Sequence, residues 1–287
     1  PYMITKRPEW DKFAGSKYSI AFDMICPDGR TLQIGTVHNL GQNFSKAFEV
    51  TYETINGDRE YVWQTCYGIS ERAIASVIIT HGDDNGLVLP YNVAPIQTVI
   101  IPILYKGKEE AIIETSKKVA CDLENAGVRV KLDDREELTP GSKFYYWELR
   151  GVPTRIEIGP RDIERDEVTI VRRDTLERTK CRIDEVTKAL SEIGKQLTVD
   201  IRERAWEWMK QHIHLVHSLE EATDIIESRA GVAQAPWCGN EKCGREIEEK
   251  TDARVLGIPL DMEMNTEEQC VICGEKSSQL VRIATAY

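Results

Sequence analysis

Four cysteines near the end of the chain carry the plainest chemistry. Cys238 and Cys243 are separated by four residues and Cys270 and Cys273 by two, a Cys-x4-Cys…Cys-x2-Cys frame. Two close-set thiol pairs are what a tetrahedral thiolate site requires. Gly239, Gly244 and Gly274, which follow three of the thiols, are expected to let backbone approach the sulfurs without a Cβ clash. A structural metal held by four protein ligands is the expectation, with disulfides as the alternative. Cys26, Cys66, Cys121 and Cys181 are isolated, and no secretory signal opens the sequence. That pattern points to a reducing cytoplasmic setting, and so to a metal. His212, His214 and His217 form a second candidate set, with His214 and His217 expected on one helical face. A solvated or packed helix is favoured several-fold over a metal site, since no cysteine lies close in sequence, and the three are not taken as ligands.

The elements that must position such groups follow from composition and pattern. At 287 residues, 41% hydrophobic and 30% charged, the chain suits two or three compact soluble units. Its richest apolar run, Val99 to Leu104, is strand length, so no membrane span is expected. A net charge of −11 argues against wholesale nucleic-acid binding while leaving room for a local basic face.

Residues 1–60 read as short strands and turns. Tyr18 to Ile25 alternates and stops at Pro27-Asp28-Gly29, with Thr31 to Val37 as the hairpin partner. A strand over Glu60 to Thr65 leads through Gly68 to a helix over Ala73 to Ile79 with Ser70 as its N-cap, and Pro90 to Pro95 reads as a linker. From Ala94 the pattern becomes alternating strand and helix: a buried strand at Gln97 to Leu104, a helix from Lys108 to Asn125 ending before Gly127, and a helix from Thr139 to Arg150 with Pro140 at its start. Strands at Val128 to Leu132, Arg155 to Ile158, Asp166 to Arg172 and Thr175 to Ile183 complete an α/β unit. Apolar residues from Ile183 to Trp208 then recur every three or four positions, one stripe along a long helix with a possible break at Gly194 or Thr198. The cysteine frame and an apolar strand from Ser278 to Tyr287 end the chain.

Three stretches, Gly35-Thr-Val-His-Asn-Leu-Gly-Gln-Asn-Phe44, Trp63-Gln-Thr-Cys-Tyr-Gly-Ile-Ser-Glu-Arg72 and His81-Gly-Asp-Asp-Asn-Gly-Leu-Val-Leu-Pro90, resemble the catalytic core of prolyl-tRNA synthetase. Gly141 through Asp162 resembles its anticodon-binding domain, and the four-cysteine segment with the terminal Ala-Tyr287 is similar to the archaeal/eukaryotic type. The resemblance implies an α/β and α+β multidomain protein. Residues 1–93 would be part of a class II antiparallel-sheet catalytic core carrying the third motif, 94–195 an α/β anticodon-binding domain, and 196–287 a long helix plus a small zinc-binding α+β domain. The upstream motifs of the family are not found, so the natural chain is expected to extend upstream and this portion to be inactive alone.

The implied function is ATP-dependent activation of proline to prolyl-adenylate and transfer to tRNA(Pro), by a cytoplasmic homodimer with no membrane partner. Structural zinc and magnesium bound with ATP are the implied cofactors. A non-catalytic tRNA-binding module is the alternative. Arg72 stands where the family's third motif places the arginine that grips ATP. Its charge is unfavourable at a helix start unless an anion sits there. Gln33, Thr36 and His38, at alternate or near-alternate positions of one strand, and Thr65, Cys66 and Gly68 are implied in the proline and ATP pocket, with Thr36 and His38 sharing a face. Phe144, Glu148, Arg155, Arg161 and Asp162 are implied at the anticodon. Phe144 and Glu148, four apart, share a helix face, with Tyr145, Tyr146 and Trp147 beside them open to reading as core aromatics.

Overall fold

The computed structural model describes residues 1–262, 268–277 and 279–287. The first third holds β1 (Met3–Lys6), β2 (Tyr18–Ile25), β3 (Thr31–Gly41), α1 (Asn43–Ala47), β4 (Thr51–Glu53), β5 (Arg59–Tyr61), β6 (Gln64–Ile69) and α2 (Arg72–His81). The middle holds β7 (Thr98–Pro102), α3 (Glu109–Asn125), β8 (Val130–Leu132), α4 (Pro140–Leu149), β9 (Thr154–Ile158), α5 (Pro160–Glu164), β10 (Glu167–Arg172) and β11 (Arg178–Arg182). Then come α6 (Val186–Gln211), β12 (Ile213–Leu215), α7 (Leu219–Glu227), β13 (Val232–Trp237), α8 (Glu241–Thr251), β14 (Arg254–Pro259) and β15 (Gln279–Ala284). The fold is mixed α/β. No described helix is long and apolar enough to cross a membrane.

By packing, the chain forms two units, one of Pro1–Ser76 with Trp206–Tyr287, the other of Val77–Ala205. In the first, strands from both ends of the chain join one eight-stranded sheet in the order β12-β13-β15-β14-β1-β2-β3-β6. The seam is the antiparallel pair β1 and β14, where Thr5 faces Pro259. The first and last stretches of the chain thus share a sheet. Alternation along β13 shows how it is covered. Val232 packs with Met3, Leu256, Ala284 and Met209 near the end of α6, while Ala233 and Ala235 join Ala222, Ile226 and Ile247 of α7 and α8 in a separate core. The hairpin of β2 and β3 runs longer than its apolar alternation, to Gly41, because β6 pairs with its far half. Asn56-Gly57 makes the turn of the small β4–β5 ribbon, with Gly57 at φ 85°.

The second unit is a five-stranded sheet ordered β11-β10-β9-β7-β8, parallel over β9, β7 and β8 and antiparallel beyond. One face packs Ile100, Ile156, Ile158 and Ile170 against α3 and the first turns of α6. The other packs Val99 and Ile101 against Trp147 and Phe144 of α4. Helix α4 starts where Thr139 and Pro140 place it: the Thr139 Oγ1 accepts from the Ser142 backbone N–H at 3.3 Å, and Pro140 fills the first turn. Helix α6 is a single 26-residue element, unbroken at Gly194 or Thr198. Gly194 is there for the Tyr91 ring, since a Cβ would stand 2.5 Å from it, and Thr198 Oγ1 accepts from the Tyr91 N–H. The stretch Pro90 to Pro95 is therefore anchored rather than a free linker, with Arg129 also donating to the carbonyls of Asn92 and Ala94.

Candidate functional site

The α4 side of the second unit gathers most of the charged residues expected there. Along β9, Ile156 and Ile158 face the core, so Arg155 and Glu157 must face α4. Arg155 lies 4.3 Å over the Phe144 ring and donates to Glu148 through Nη1 and to Glu157 through Nε at 2.8 Å. Phe144, Glu148 and Arg155 are thus one contiguous group. Asp162 accepts from the Gly159 N–H at 2.9 Å, closing the first turn of α5, and meets Thr169 and Lys180 on the same face. Arg161 is exposed on α5 and does not join this hydrogen-bonded group. Tyr145 is 71% exposed, so it is not a core residue, whereas Trp147 is buried.

Several members of this face carried no motif. Glu157, Arg178 and Lys180 are placed by strand alternation and register: Thr169 pairs with both Glu157 and Lys180, and Val171 with both Arg155 and Arg178. The two-residue spacing of charge in Arg155/Glu157 and Arg178/Lys180 was the available signal. Arg173, 4% exposed, donates to both Asp83 oxygens at 2.6 and 2.7 Å and to the Glu148 carbonyl at 3.0 Å, tying the Asp83–Gly86 turn to the end of α4. Its hydrogen bonds hold the Asp83 carboxyl below the usual range. Beneath α4, burial pushes the Asp133 carboxyl up. Donation from Arg135 and from the Trp147 indole outweighs that and holds it at about 2.

In the first unit the expected pocket residues lie on β3 and β6. Thr36 pairs with Gly68 and His38 with Cys66, so these four share a face. A bulge at Ile34 returns Gln33 to that face, where it pairs with Asp23. Without the bulge strict alternation would turn Gln33 away. Thr65, paired with Asn39, projects to the opposite face from Cys66. His38 is half-buried: Nδ1 lies 2.7 Å from Ser19 Oγ and the ring 4.9 Å from Phe13. Half-buried Arg7 donates to Gln33 Oε1 and to Asp23. Burial drives the Asp23 carboxyl up, only partly offset by Arg7. Arg72 is exposed at the start of α2. Its N–H reaches Ser70 Oγ at 3.3 Å and its Nη1 stands 3.5 Å from the Gln33 carbonyl. An apolar concavity of about 670 Å³, lined by Tyr2, Phe22, Val37, Tyr67 and Ile69, occupies the other face.

The four cysteines of the frame converge. Their Sγ atoms all lie within 4.8 Å of one another, and Cys273 stands 3.8 Å from Cys238. Four thiolates at about 2.3 Å from one ion would be about 3.8 Å apart, so the cluster could hold a single metal ion. Burial raises the Cys238 and Cys243 thiols. Burial also works on Cys270, but backbone N–H groups of Cys273 and Ile272 aimed at its sulfur bring it down to about 7. Gly239 and Gly274 serve the turns, at φ 86° and 71°. Gly244 does not: it lies inside α8 under the Trp10 ring, where a Cβ would come within 2.2 Å of that ring. The histidines fall elsewhere. His214 is in β12 and His217 in the loop after it, paired with Glu268, so the two share no helical face.

Comparison with known proteins identifies relatives of the chain. Residues 97–193 match the family model described as Anticodon binding domain, and residues 219–287 the one described as Prolyl-tRNA synthetase, C-terminal. The chain is 51% identical to the proline--tRNA ligase of Ignicoccus hospitalis over all of its own length and 60% of that protein's. It is 50% identical to that of Methanopyrus kandleri and 47% to that of Pyrococcus abyssi, again over its whole length and covering 59% and 60% of theirs. It therefore spans about three-fifths of the length of the curated relatives it matches. Similar along its whole length to these ligases, and with both domain models falling inside it, the chain belongs to the prolyl-tRNA synthetase family.

Proposed function

We propose that the protein of which this chain is part is a proline–tRNA ligase of the class II archaeal/eukaryotic type, activating proline with ATP and charging tRNA(Pro). The whole-length similarity to proteins named proline--tRNA ligase carries this reading. On it, residues 1–93 contribute part of the catalytic core, 94–195 read the anticodon and 196–287 add the long helix and a zinc domain. The protein works in the cytoplasm as a homodimer.

Arg72 grips ATP phosphate with its fork, and the Gln33, Thr36, His38, Cys66 and Gly68 face floors the proline and adenylate pocket, while Thr65, on the opposite face, acts only through the backbone of the strand. The open position of Arg72 at a helix start, where an anion relieves the dipole penalty, supports this role. Magnesium arriving with ATP supplies charge neutralisation at the phosphates. Adenylate formation needs positioning and charge stabilisation rather than a carboxylate acid–base pair.

Phe144 offers a stacking face to an unpaired base, Glu148 and Asp162 accept from a guanine edge, and Arg155 and Arg161 reach base acceptors or phosphate. Cys238, Cys243, Cys270 and Cys273 hold zinc, the ion that four-sulfur tetrahedral sites favour. Proline-dependent ATP–pyrophosphate exchange and tRNA(Pro) charging by the full-length protein test the reading. Specific tRNA binding without exchange would leave a non-catalytic tRNA-binding module instead.

A further inference from the structure

We infer that Glu157 is the positioning residue of the anticodon face, setting the guanidiniums of Arg155 and Arg178 and letting a base edge displace Arg155 from Glu148. This rests on the anticodon assignment proposed above. Glu157 lies in the middle strand β9 and is 3% exposed. Its carboxylate accepts from Arg155 Nε at 2.8 Å, from Arg178 Nη1 at 3.2 Å and from Arg178 Nη2. A carboxylate so buried is retained only when it is paired. Here both of its partners face the side of the sheet that carries Phe144 and Glu148.

The arrangement divides the donors of Arg155 between two carboxylates. Nε goes to Glu157 and Nη1 to Glu148, while the guanidinium plane covers Phe144. A guanine Watson–Crick edge presents adjacent N–H donors much as a guanidinium does, so Arg155 and a guanine compete for Glu148. Glu157 decides that competition. With its charge present, Arg155 keeps a carboxylate partner when a base takes Glu148. Without it, Glu148 is the remaining carboxylate partner of Arg155, and the tightened ion pair excludes the base. Arg178, whose side chain is 54% exposed, would also lose the anchor that aims it.

A residue that only supported the fold would weaken charging of every tRNA alike, whereas this one changes the ratio between tRNAs. The test uses the full-length enzyme with Glu157→Gln, Glu157→Asp and Glu148→Ala. The readout is charging kcat/KM on tRNA(Pro) transcripts with the native anticodon or with one anticodon guanine replaced. ATP–pyrophosphate exchange and the thermal midpoint report integrity. Glu157→Gln should keep exchange and shrink the native-to-replaced ratio about tenfold or more, with Glu157→Asp recovering much of it. A wild-type ratio in Glu157→Gln alongside a collapsed ratio in Glu148→Ala overturns the proposal and leaves the anticodon assignment standing. Unchanged ratios in both variants overturn the assignment as well. Should Glu157→Gln lower the thermal midpoint below the assay temperature, charging is read at a temperature where the variant is folded, and a wild-type ratio there is equally fatal.

Discussion

Among single residues, the sharpest consequences fall on Arg72 and on the pair Glu148 and Arg161. Arg72 is exposed, and among the described residues its side chain makes only the long 3.5 Å contact to the Gln33 carbonyl, so truncating that side chain leaves the fold alone. In the full-length enzyme Arg72→Ala should slow proline-dependent pyrophosphate exchange by about 2–5 kcal/mol of transition-state stabilisation while tRNA binding stays near wild type. Unchanged exchange kinetics would remove Arg72 from the ATP site. Glu148 and Arg161 divide differently. Glu148 sits inside the Phe144–Arg155 group, so Glu148→Ala should blunt guanine preference at one anticodon position by about 1–3 kcal/mol. Arg161, exposed and outside that group, should act on phosphate. Arg161→Ala is expected to weaken all tRNAs and flatten the salt dependence of binding. Charging of wild-type and anticodon-swapped transcripts separates the two. If both variants still reject the swapped tRNA as wild type does, anticodon reading lies elsewhere.

At the scale of elements, the cysteine turns and α6 make opposite kinds of prediction. The Cys238–Cys243 and Cys270–Cys273 turns lie on separate segments that the sulfurs draw together. Metal binding in such small domains is worth on the order of 10 kcal/mol of linked folding free energy. Purified protein should therefore contain one zinc per chain, lost in Cys270→Ser together with order around residues 235–262 and 268–277. Stoichiometric disulfides without metal would end that assignment. Helix α6 owes its continuity to packing. Replacing Gly194 by Ala improves helix propensity by about 1 kcal/mol, yet drives a methyl into the Tyr91 ring. Overpacking of this kind typically costs about 1–3 kcal/mol, so Gly194→Ala should lower the melting temperature despite the better helix former. A raised melting temperature would show that Tyr91 moves aside at no cost.

For the molecule as a whole, acid stability tests how the α4 unit is held. Asp133 has its folded pKa depressed from 3.8 to about 2, so the stability it lends is complete above about pH 4 and is lost as pH falls through 2. That shift corresponds to about 2 kcal/mol. Asp133→Asn should leave a shallower acid limb in denaturation followed between pH 2 and 5, and an identical limb would place the acid-sensitive group elsewhere. Much of the molecule was legible locally. Tyr18–Ile25 and the helix start marked by Pro140 follow from alternation and turn chemistry, which depend on neighbours in the chain. The cysteine frame was legible for the same reason, as ligand spacing lies within single turns. Other features depend on partners far away in sequence. The pairing of β1 with β14 and the bulge at Ile34 that turns Gln33 back toward Thr36 are examples, as is the burial of Glu157 between Arg155 and Arg178. Local pattern sets which face a strand can bury. Only tertiary hydrogen bonding decides which strand lies beside it, and therefore which charges meet.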